Sequence, residues 1–169
     1  MSQIHNTRPE TRADLPAVRA IHLAAFDTPL EADLVDALRT DPAWIDGLSV
    51  VAETPDGTLA GHALLTRCHI GDTPALCLAP VAVLPDHQRS GLGSAAVRAV
   101  LEAARGMGER FVVVLGHPDY YPRFGFRRAS AAGIGLTIDV PDEALMALAL
   151  DDGHPLPSGT VHYAAPFGI

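Results

Sequence analysis

The sequence contains no lysine: its 12 basic side chains are all arginine, against 20 acidic ones, which gives a formal net charge of −8. Without lysine, the chain has no Schiff-base nucleophile, no lysine general base and no lysine for a Walker phosphate-binding loop. There is also no basic run that would neutralise a phosphate backbone. The composition therefore argues against nucleic acid as a partner and mildly favours cationic ligands.

Cysteine is scarce and long apolar runs are absent. The two cysteines, Cys68 and Cys77, are too few for the disulfide framework of a secreted mini-domain and match no zinc-ribbon or redox spacing. The eight histidines show no spacing typical of zinc ligands, so we expect no metal site. No stretch reaches the roughly 18 apolar residues of a membrane span, and the first residues lack a signal-peptide pattern. We therefore expect a cytoplasmic protein that does not associate with membranes.

What is present suits one mixed α/β domain over residues 1–169, because 48% of the residues are hydrophobic. Apolar residues recur at helical spacing from Ala17 to Ala25, from Leu30 to Arg39 and from Leu92 to Met107. Turn residues separate the predicted strands, which form an antiparallel meander followed by further strands. The predicted strands are Ser49–Glu53, Leu59–Ile70, Ala75–Leu84, Phe111–Leu115, Ile134–Ile138, Leu145–Leu150 and Thr160–Tyr163.

The turn at Gly71 to Pro74 decides whether the two cysteines meet. If this turn is tight, Cys68 and Cys77 face each other across the hairpin, and a disulfide between them is geometrically possible. A reducing cytosol disfavours such a bond. We therefore expect two free thiols.

The most informative segment is VAVLPDHQRSGLG, Val81 to Gly93, in which a predicted strand passes through a glycine-rich loop into the start of a long helix. Glycines let the backbone approach a ligand closely, and the amide hydrogens at a helix N-terminus converge on an anion. The helix dipole adds about half a positive charge at the same place. This pattern predicts a phosphate or pyrophosphate site.

Two familiar phosphate loops fit this segment poorly. A Walker loop requires a lysine and is excluded. Gly91, Gly93 and Ala96 do spell the GxGxxA of a dinucleotide-binding fingerprint, but in that motif the first glycine follows its strand directly. Here Pro85 to Ser90 intervene, an antiparallel meander precedes the loop, and the next strand ends without an acidic residue. The dinucleotide interpretation is therefore disfavoured.

A third interpretation is a family resemblance. Gln88, Gly91 and Gly93 resemble the [QR]xxGx[GA] acetyl-CoA pyrophosphate motif of the GNAT N-acetyltransferases, and YPRFGF, Tyr121 to Phe126, resembles the family's Tyr-x-x-x-Gly-Phe segment. The order of the predicted elements also follows the family over essentially the whole chain. The sequence is most similar to a bacterial branch with an LGxPxYYxRFGF segment, here Leu115 to Phe126. The resemblance implies a GNAT fold: a twisted, mostly antiparallel mixed sheet flanked by helices, with two strands splayed apart around the cofactor.

The resemblance also implies which residues bind acetyl-CoA. The backbone of Val81, Ala82 and Val83 would hydrogen-bond the pantetheine arm, inserted where the strands splay. The pyrophosphate would lie on the loop amides and on the start of the helix, that is, on Gln88, Arg89, Ser90, Gly91, Leu92, Gly93 and Ser94. Arg89 is a candidate for an ionic contact to the nucleotide, and an ordinary exposed arginine is the alternative interpretation.

Acetyl transfer needs a proton donor for the departing thiolate and a proton acceptor for the amine. Tyr121 occupies the position that the family uses for the acid, and a phenol is a competent donor to a thiolate. Its alternative role is that of a packed core residue, which is also our interpretation of Tyr120. Glu31, at the start of the second helix, is the candidate base, and the alternative for Glu31 is a partner of the helix dipole. His117 would bind a carbonyl or shuttle a proton.

The predicted activity is acetyl-CoA-dependent N-acetylation of a primary amine, most simply on a small molecule, by direct transfer. An acyl-cysteine route through Cys77 is disfavoured because no histidine and acid partner is identifiable for it. A non-catalytic acyl-CoA-binding module and a protein or peptide acetyltransferase are the alternatives on the same fold. A homodimer is compatible with the sequence.

Overall fold

The chain folds around one large sheet with helices on both of its faces, and the computed structural model describes residues 5–169. The opening residues, for which the sequence predicts no signal peptide, lie partly outside this range. The helices are Leu15–Ala25 (α1), Leu30–Arg39 (α2) and Leu92–Gly106 (α3). The strands are Asn6–Pro9 (β1), Ser49–Glu53 (β2), Leu59–Ile70 (β3), Thr73–Val83 (β4), Phe111–Leu115 (β5), Arg127–Arg128 (β6), Ile134–Gly135 (β7), Leu145–Ala149 (β8) and Gly159–His162 (β9).

The sheet is mixed and mostly antiparallel, which confirms the predicted fold class. Its strands lie in the order β1-β2-β3-β4-β5-β8-β6, and β9 pairs with the end of β3 and with β7. Helix α3 packs on one face through buried apolar residues such as Ala96, Val97 and Val100, while α1 and α2 cover the other face around Val18, Val35 and Leu64. None of the helices within residues 5–169 is long and apolar enough to cross a membrane.

The central pair, β4 and β5, is parallel and very short. Only Leu76 with Val112 and Cys77 with Val113 are paired, although β4 continues to Val83 and β5 to Leu115. Beyond the pair Cys77–Val113 the two strands diverge. We call this divergence the fork. On the side where the two strands part, their backbone groups have no neighbouring strand, while β4 stays paired with β3 and β5 with β8.

The expectation that Cys68 and Cys77 face each other across the hairpin is wrong. The β3–β4 hairpin turns at Gly71 and Asp72, because Ile70 is paired with Thr73, so the turn is centred before Pro74. This register places Cys68 opposite Ala75 and Cys77 opposite Thr66. Both thiols are free and buried, as expected, but they are diagonal neighbours and do not face each other.

The strand prediction is also too long near the C-terminus. Only Ile134–Gly135 of the predicted strand Ile134–Ile138 pairs, and it pairs with Gly159 and Thr160 of β9. Apolar Ile138 is 44% exposed in the following loop. The last strand, β9, begins at Gly159, one residue before the prediction.

The first turn of the structure is stabilised by a buried carboxylate. Asp14 accepts hydrogen bonds from the backbone amide and the hydroxyl of Thr11, at 2.7 and 3.1 Å, and from both terminal nitrogens of Arg8. The hydrogen bonds from Arg8, more than any other contact, lower the pKa of Asp14 to about 2. Thr11 and Asp14 thus form a capping box, which leads directly into α1.

A chain of polar side chains crosses the core beneath α1. His22 Nε2 and His62 Nδ1 are hydrogen-bonded at 2.8 Å, and His62 Nε2 is hydrogen-bonded to Ser49 Oγ at 2.7 Å. Burial lowers the pKa of His22 to about 4 and that of His62 well below its ordinary value. Both imidazoles are therefore neutral in the folded protein near neutral pH.

Acid should destabilise the fold between the ordinary histidine pKa of about 6.5 and the pKa of His22, about 4. The unfolded chain takes up a proton within this window, whereas folded His22 stays neutral. The free energy of unfolding therefore falls as the pH falls, by up to about 3 kcal/mol for His22. Denaturant unfolding at about pH 7 and about pH 4.5 measures this loss.

Replacing the buried imidazole separates its effect from general acid denaturation. The variant His22→Gln should lose less stability than the wild type across the window, whatever its stability at neutral pH. The matched control His69→Asn removes an exposed histidine and should keep the wild-type dependence. Equal losses in the wild type and His22→Gln would contradict the assignment.

Candidate functional site

The fork opens into a cleft with a volume of about 770 Å³. One wall is the last part of β4, from Val81 to Val83, and the other wall is the segment after β5, including His117, Tyr120 and Tyr121. The loop before α3 forms the outer end. The cleft therefore lies where two buried strands part, with free backbone groups on one side and aromatic side chains on the other.

The loop at the outer end of the cleft has a backbone shaped for close approach. Arg89 has φ +64° and Gly91 has φ +88°, both in the left-handed region. The first helical hydrogen bond runs from the Ala95 amide to the Gly91 carbonyl at 2.9 Å, so the amides before Ala95 are not used by the helix. Gln88 ties the loop to β4 by donating from Nε2 to the Val83 carbonyl at 3.3 Å. Free amides at the start of a helix, together with the helix dipole, are the groups that commonly bind anions.

A hydrogen bond joins the loop to the opposite wall. Ser94 Oγ and Tyr120 Oη lie 2.9 Å apart across the start of α3. Gly93 allows this approach, because a Cβ there would lie 3.1 Å from Val83 Cγ2 and 3.5 Å from Tyr120 Oη. Tyr120, which the sequence interpretation treats as packing, therefore also links the segment after β5 to the start of α3 at the outer end of the cleft.

Tyr121 is held by an aromatic cluster and by a glycine. Its ring meets Tyr120 edge-on at 5.0 Å and Phe126 at 5.9 Å between ring centroids. A Cβ at Gly116 would lie only 2.5 Å from Tyr121 Cε2, so the ring occupies the space that a side chain would need. Burial raises the pKa of Tyr121 to about 12, with smaller contributions from Tyr120 and Cys77. The phenol therefore keeps its proton near neutral pH.

The structure brings most of the predicted binding residues into one cleft. Eight of them line it: Val81, Ala82, Val83, Gln88, Arg89, Gly91, Gly93 and Ser94. The side chain of Leu92 instead lies in the core, and the hydroxyl of Ser90 donates to the His87 carbonyl. Of the two predicted catalytic residues, Tyr121 lines the cleft and Glu31 does not.

Glu31 lies in the first turn of α2, on the face that also carries Leu34 and Val35. One of its carboxylate oxygens, Oε2, is buried and has no hydrogen-bond partner within residues 5–169. Helix α2 packs against α1 and against the C-terminal turn at Ala165–Phe167. Glu31 is therefore on the sheet face opposite α3.

Arg123 is a cleft residue that the sequence interpretation missed. Its guanidinium carbon lies 4.3 Å from the centre of the Tyr120 ring, and its Nε donates to the Tyr120 carbonyl at 2.9 Å. The short turn Tyr121–Phe124 directs this arginine back onto the tyrosine. A basic residue beside two tyrosines in the aromatic segment is the signal that would have identified it.

Metal ligation has no support in the part of the chain that the structure describes. Residues 5–169 contain no group of three or more His, Cys, Asp or Glu side chains placed to hold a metal ion.

Comparison with known sequences identifies the family of the chain. The profile of the Acetyltransferase (GNAT) family matches residues 15–126, a range that includes the fork, the loop and Tyr121. The chain is 37% identical over 137 residues to the uncharacterized N-acetyltransferase YjhQ of Escherichia coli, covering 78% of this chain and 75% of YjhQ.

Two solved structures share the whole architecture. The GNAT family N-acetyltransferase YhbS of Escherichia coli, in complex with CoA, superposes with a TM-score of 0.89 at 25% identity, covering 100% of this chain and 94% of YhbS. A GNAT family acetyltransferase from Brucella melitensis, in complex with acetyl-CoA, superposes with a TM-score of 0.79 at 33% identity, covering 98% of this chain and 99% of that protein.

A methyl group at Gly116 should displace Tyr121. The new Cβ would overlap the ring at 2.5 Å, and overpacking of this kind costs about 1–3 kcal/mol. The Gly116→Ala variant should therefore show a lower melting temperature and an altered near-ultraviolet circular dichroism spectrum.

The matched control is Gly106→Ala, because a Cβ at Gly106 meets nothing within 4 Å. This control should keep the wild-type spectrum and melt no earlier than the wild type. If Gly116→Ala behaves like the control, Gly116 does not position the Tyr121 ring.

Proposed function

The chain belongs to the acetyltransferase (GNAT) family, and we propose that it transfers the acetyl group of acetyl-CoA directly to the primary amine of a small molecule. The observation that carries the proposal is one cleft that combines diverging strands, a loop of free amides and a protonated tyrosine. Each of these three parts meets one requirement of the reaction: a place for the thioester, a place for the pyrophosphate and a proton donor.

The cofactor would enter with its pyrophosphate on the loop and its pantetheine arm along β4. The backbone of Val81 to Val83 would hydrogen-bond the arm as a neighbouring strand would. The amides from Gln88 to Ser94 would bind the pyrophosphate, and the guanidinium groups of Arg89 and Arg123, which both line the cleft, would add positive charge. Arginine is the only side chain with a permanent positive charge that this sequence offers for the purpose.

Tyr121 would protonate the departing thiolate. Its raised pKa of about 12 keeps the phenol protonated, and so able to donate, near neutral pH. The thiolate of CoA, with an ordinary pKa near about 8.5, would form in the same desolvated site, and burial raises thiol pKa values too. A backbone amide on β4 would stabilise the oxyanion without reorganising.

Direct transfer fits the cleft better than an acyl-cysteine route. Cys77 is the only cysteine at the fork, and burial raises its pKa well above the ordinary value. A thiol in this state is a poor nucleophile. The amine of the acceptor would therefore attack the thioester itself.

We propose Glu31 as the group that takes the proton from the ammonium form of the acceptor. The proposal rests on its buried, unpartnered Oε2 and on its place at the start of α2, on the sheet face away from α3. An amine with a pKa near about 10 is mostly protonated at neutral pH, so a carboxylate on its path raises the fraction of nucleophile.

The test of the function is release of CoA thiol from acetyl-CoA in the presence of primary amines. We expect wild-type protein to release thiol with at least one of 2-phenylethylamine, spermidine and glucosamine, and mass spectrometry should show the acetylated amine. Tyr121→Phe should reduce turnover by about tenfold or more and leave the dissociation constant of CoA within about twofold, because only the proton donor is lost.

Gly93→Val serves as the control that fails to bind, since its added side chain would fill the approach to Val83. Binding of acetyl-CoA without thiol release by any amine would favour the non-catalytic module. Unchanged turnover in Tyr121→Phe, measured where chemistry limits the rate, would exclude Tyr121 as the acid.

Glu31→Gln should reduce kcat/KM for the amine about tenfold near pH 7. The deficit should shrink as the pH approaches the pKa of the amine, because the solution then supplies the neutral form. Glu143→Gln, which changes an exposed glutamate, is the matched control and should keep the wild-type profile. A deficit that stays constant with pH would indicate a structural role for Glu31.

A further inference from the structure

The inner end of the fork carries polar groups that the proposed mechanism does not use. Cys77 is the last residue of β4 that is paired with β5. Its side chain lies on the sheet face that α1 and α2 cover, and Thr66 of β3 lies directly opposite it. Both residues are almost completely buried, with exposures of 2% for Cys77 and 0% for Thr66. Thr66 thus places a hydroxyl at the point where β4 and β5 begin to diverge.

A second hydroxyl, that of Tyr163 in the C-terminal segment, belongs to a side chain packed against the buried cluster that contains Cys77. His162 of β9 is paired with His69 of β3, and continuing this antiparallel register by one residue places Tyr163 opposite Cys68. The Tyr163 side chain packs against the buried cluster that contains Cys68 and Cys77, and its ring contacts Phe167 at 5.2 Å. Burial, with smaller contributions from Cys77 and then Cys68, raises the pKa of Tyr163.

Neither hydroxyl has a hydrogen-bond partner among the described residues. Thr66 Oγ1 and Tyr163 Oη are both buried and unpaired. Buried polar groups normally find partners, and leaving one unpaired is costly. Valine in place of Thr66 and phenylalanine in place of Tyr163 would keep the shape and remove the cost, so packing alone does not explain these residues.

We propose that the hydroxyls of Thr66 and Tyr163 form a subsite that binds the nitrogen of the acceptor amine. A neutral amine has N–H groups to donate and a lone pair, and a hydroxyl both donates and accepts. The burial of Cys68 and Cys77 keeps both thiols protonated, so no charge next to the hydroxyls competes for the nitrogen. The subsite would deliver the amine to the fork from the face opposite α3.

The position of Tyr121 agrees with this arrangement. Tyr121 packs against the core cluster on the face of α3, whereas Tyr163 packs against the cluster that contains Cys77 on the opposite face. The thioester would lie between the proton donor and the bound amine. This inference rests on the proposed function, because it assigns the acceptor side of the same reaction.

The kinetic test uses Thr66→Val and Tyr163→Phe with whichever of 2-phenylethylamine, spermidine and glucosamine the wild type acetylates best. Each variant should raise KM for the amine at least about fivefold, the effect of one lost hydrogen bond, with the dissociation constant of CoA within about twofold of wild type. Each should melt at or above the wild-type temperature, because an unpaired hydroxyl has been removed. Thr7→Val, on the edge strand β1, is the matched control and should change neither constant.

A structural arm keeps the proposal testable if no amine is acetylated. A crystal of the CoA complex soaked with 2-phenylethylamine should show the nitrogen within about 3.2 Å of Thr66 Oγ1 and Tyr163 Oη. Absence of thiol release together with this density would refute the proposed function and keep the subsite. An unchanged KM in both variants, or an amine bound elsewhere or not at all in the soaked crystal, would overturn the subsite.

Discussion

The early end of the β4–β5 pairing is the constraint on which the rest of the structure depends. Two parallel strands in the middle of a sheet normally continue their hydrogen bonds, yet these two stop at the pair Cys77–Val113. The unpaired edge of β4 is the proposed binding surface, and β5 carries the chain away to Gly116 and the aromatic segment. The cleft between them, with the β4 edge on one side and Tyr121 on the other, exists because of this divergence.

Because the chain contains no lysine, the proposed phosphate site relies mainly on backbone amides. The loop before α3 presents amides, and the left-handed residues Arg89 and Gly91 set their direction. Two arginines line the cleft, Arg89 in the loop and Arg123 in the segment after β5, and the Ser94–Tyr120 hydrogen bond joins the start of α3 to that segment. In the proposed site the backbone would supply the direction of the contacts and guanidinium groups, which bind phosphate oxygens in pairs, would supply the charge.

The sequence was most informative where local pattern and burial agree. Strands Leu59–Ile70 and Phe111–Leu115 have the predicted ends, and most of the predicted loop residues line one cleft. The expectation that Cys68 and Cys77 face each other failed because the register of a hairpin depends on where its turn lies. The turn at Gly71 and Asp72 places Ala75 opposite Cys68 and Thr66 opposite Cys77. Arg123 was missed although its partner, Tyr120, is only three residues away. The buried chain of His22 and His62 and the hydroxyls of Thr66 and Tyr163 were out of reach, because each depends on contacts between residues far apart in the sequence.

The rate at which the two buried thiols, those of Cys68 and Cys77, react with a reagent measures how often the sheet opens. Burial raises the pKa of Cys68 to about 12 and that of Cys77 well above its ordinary value, so neither reacts readily with an electrophile while the sheet is closed. A disulfide reagent added to folded protein would therefore detect released coenzyme against a low background. In the absence of coenzyme, the slow labelling that remains would report how often the centre of the sheet becomes exposed to solvent.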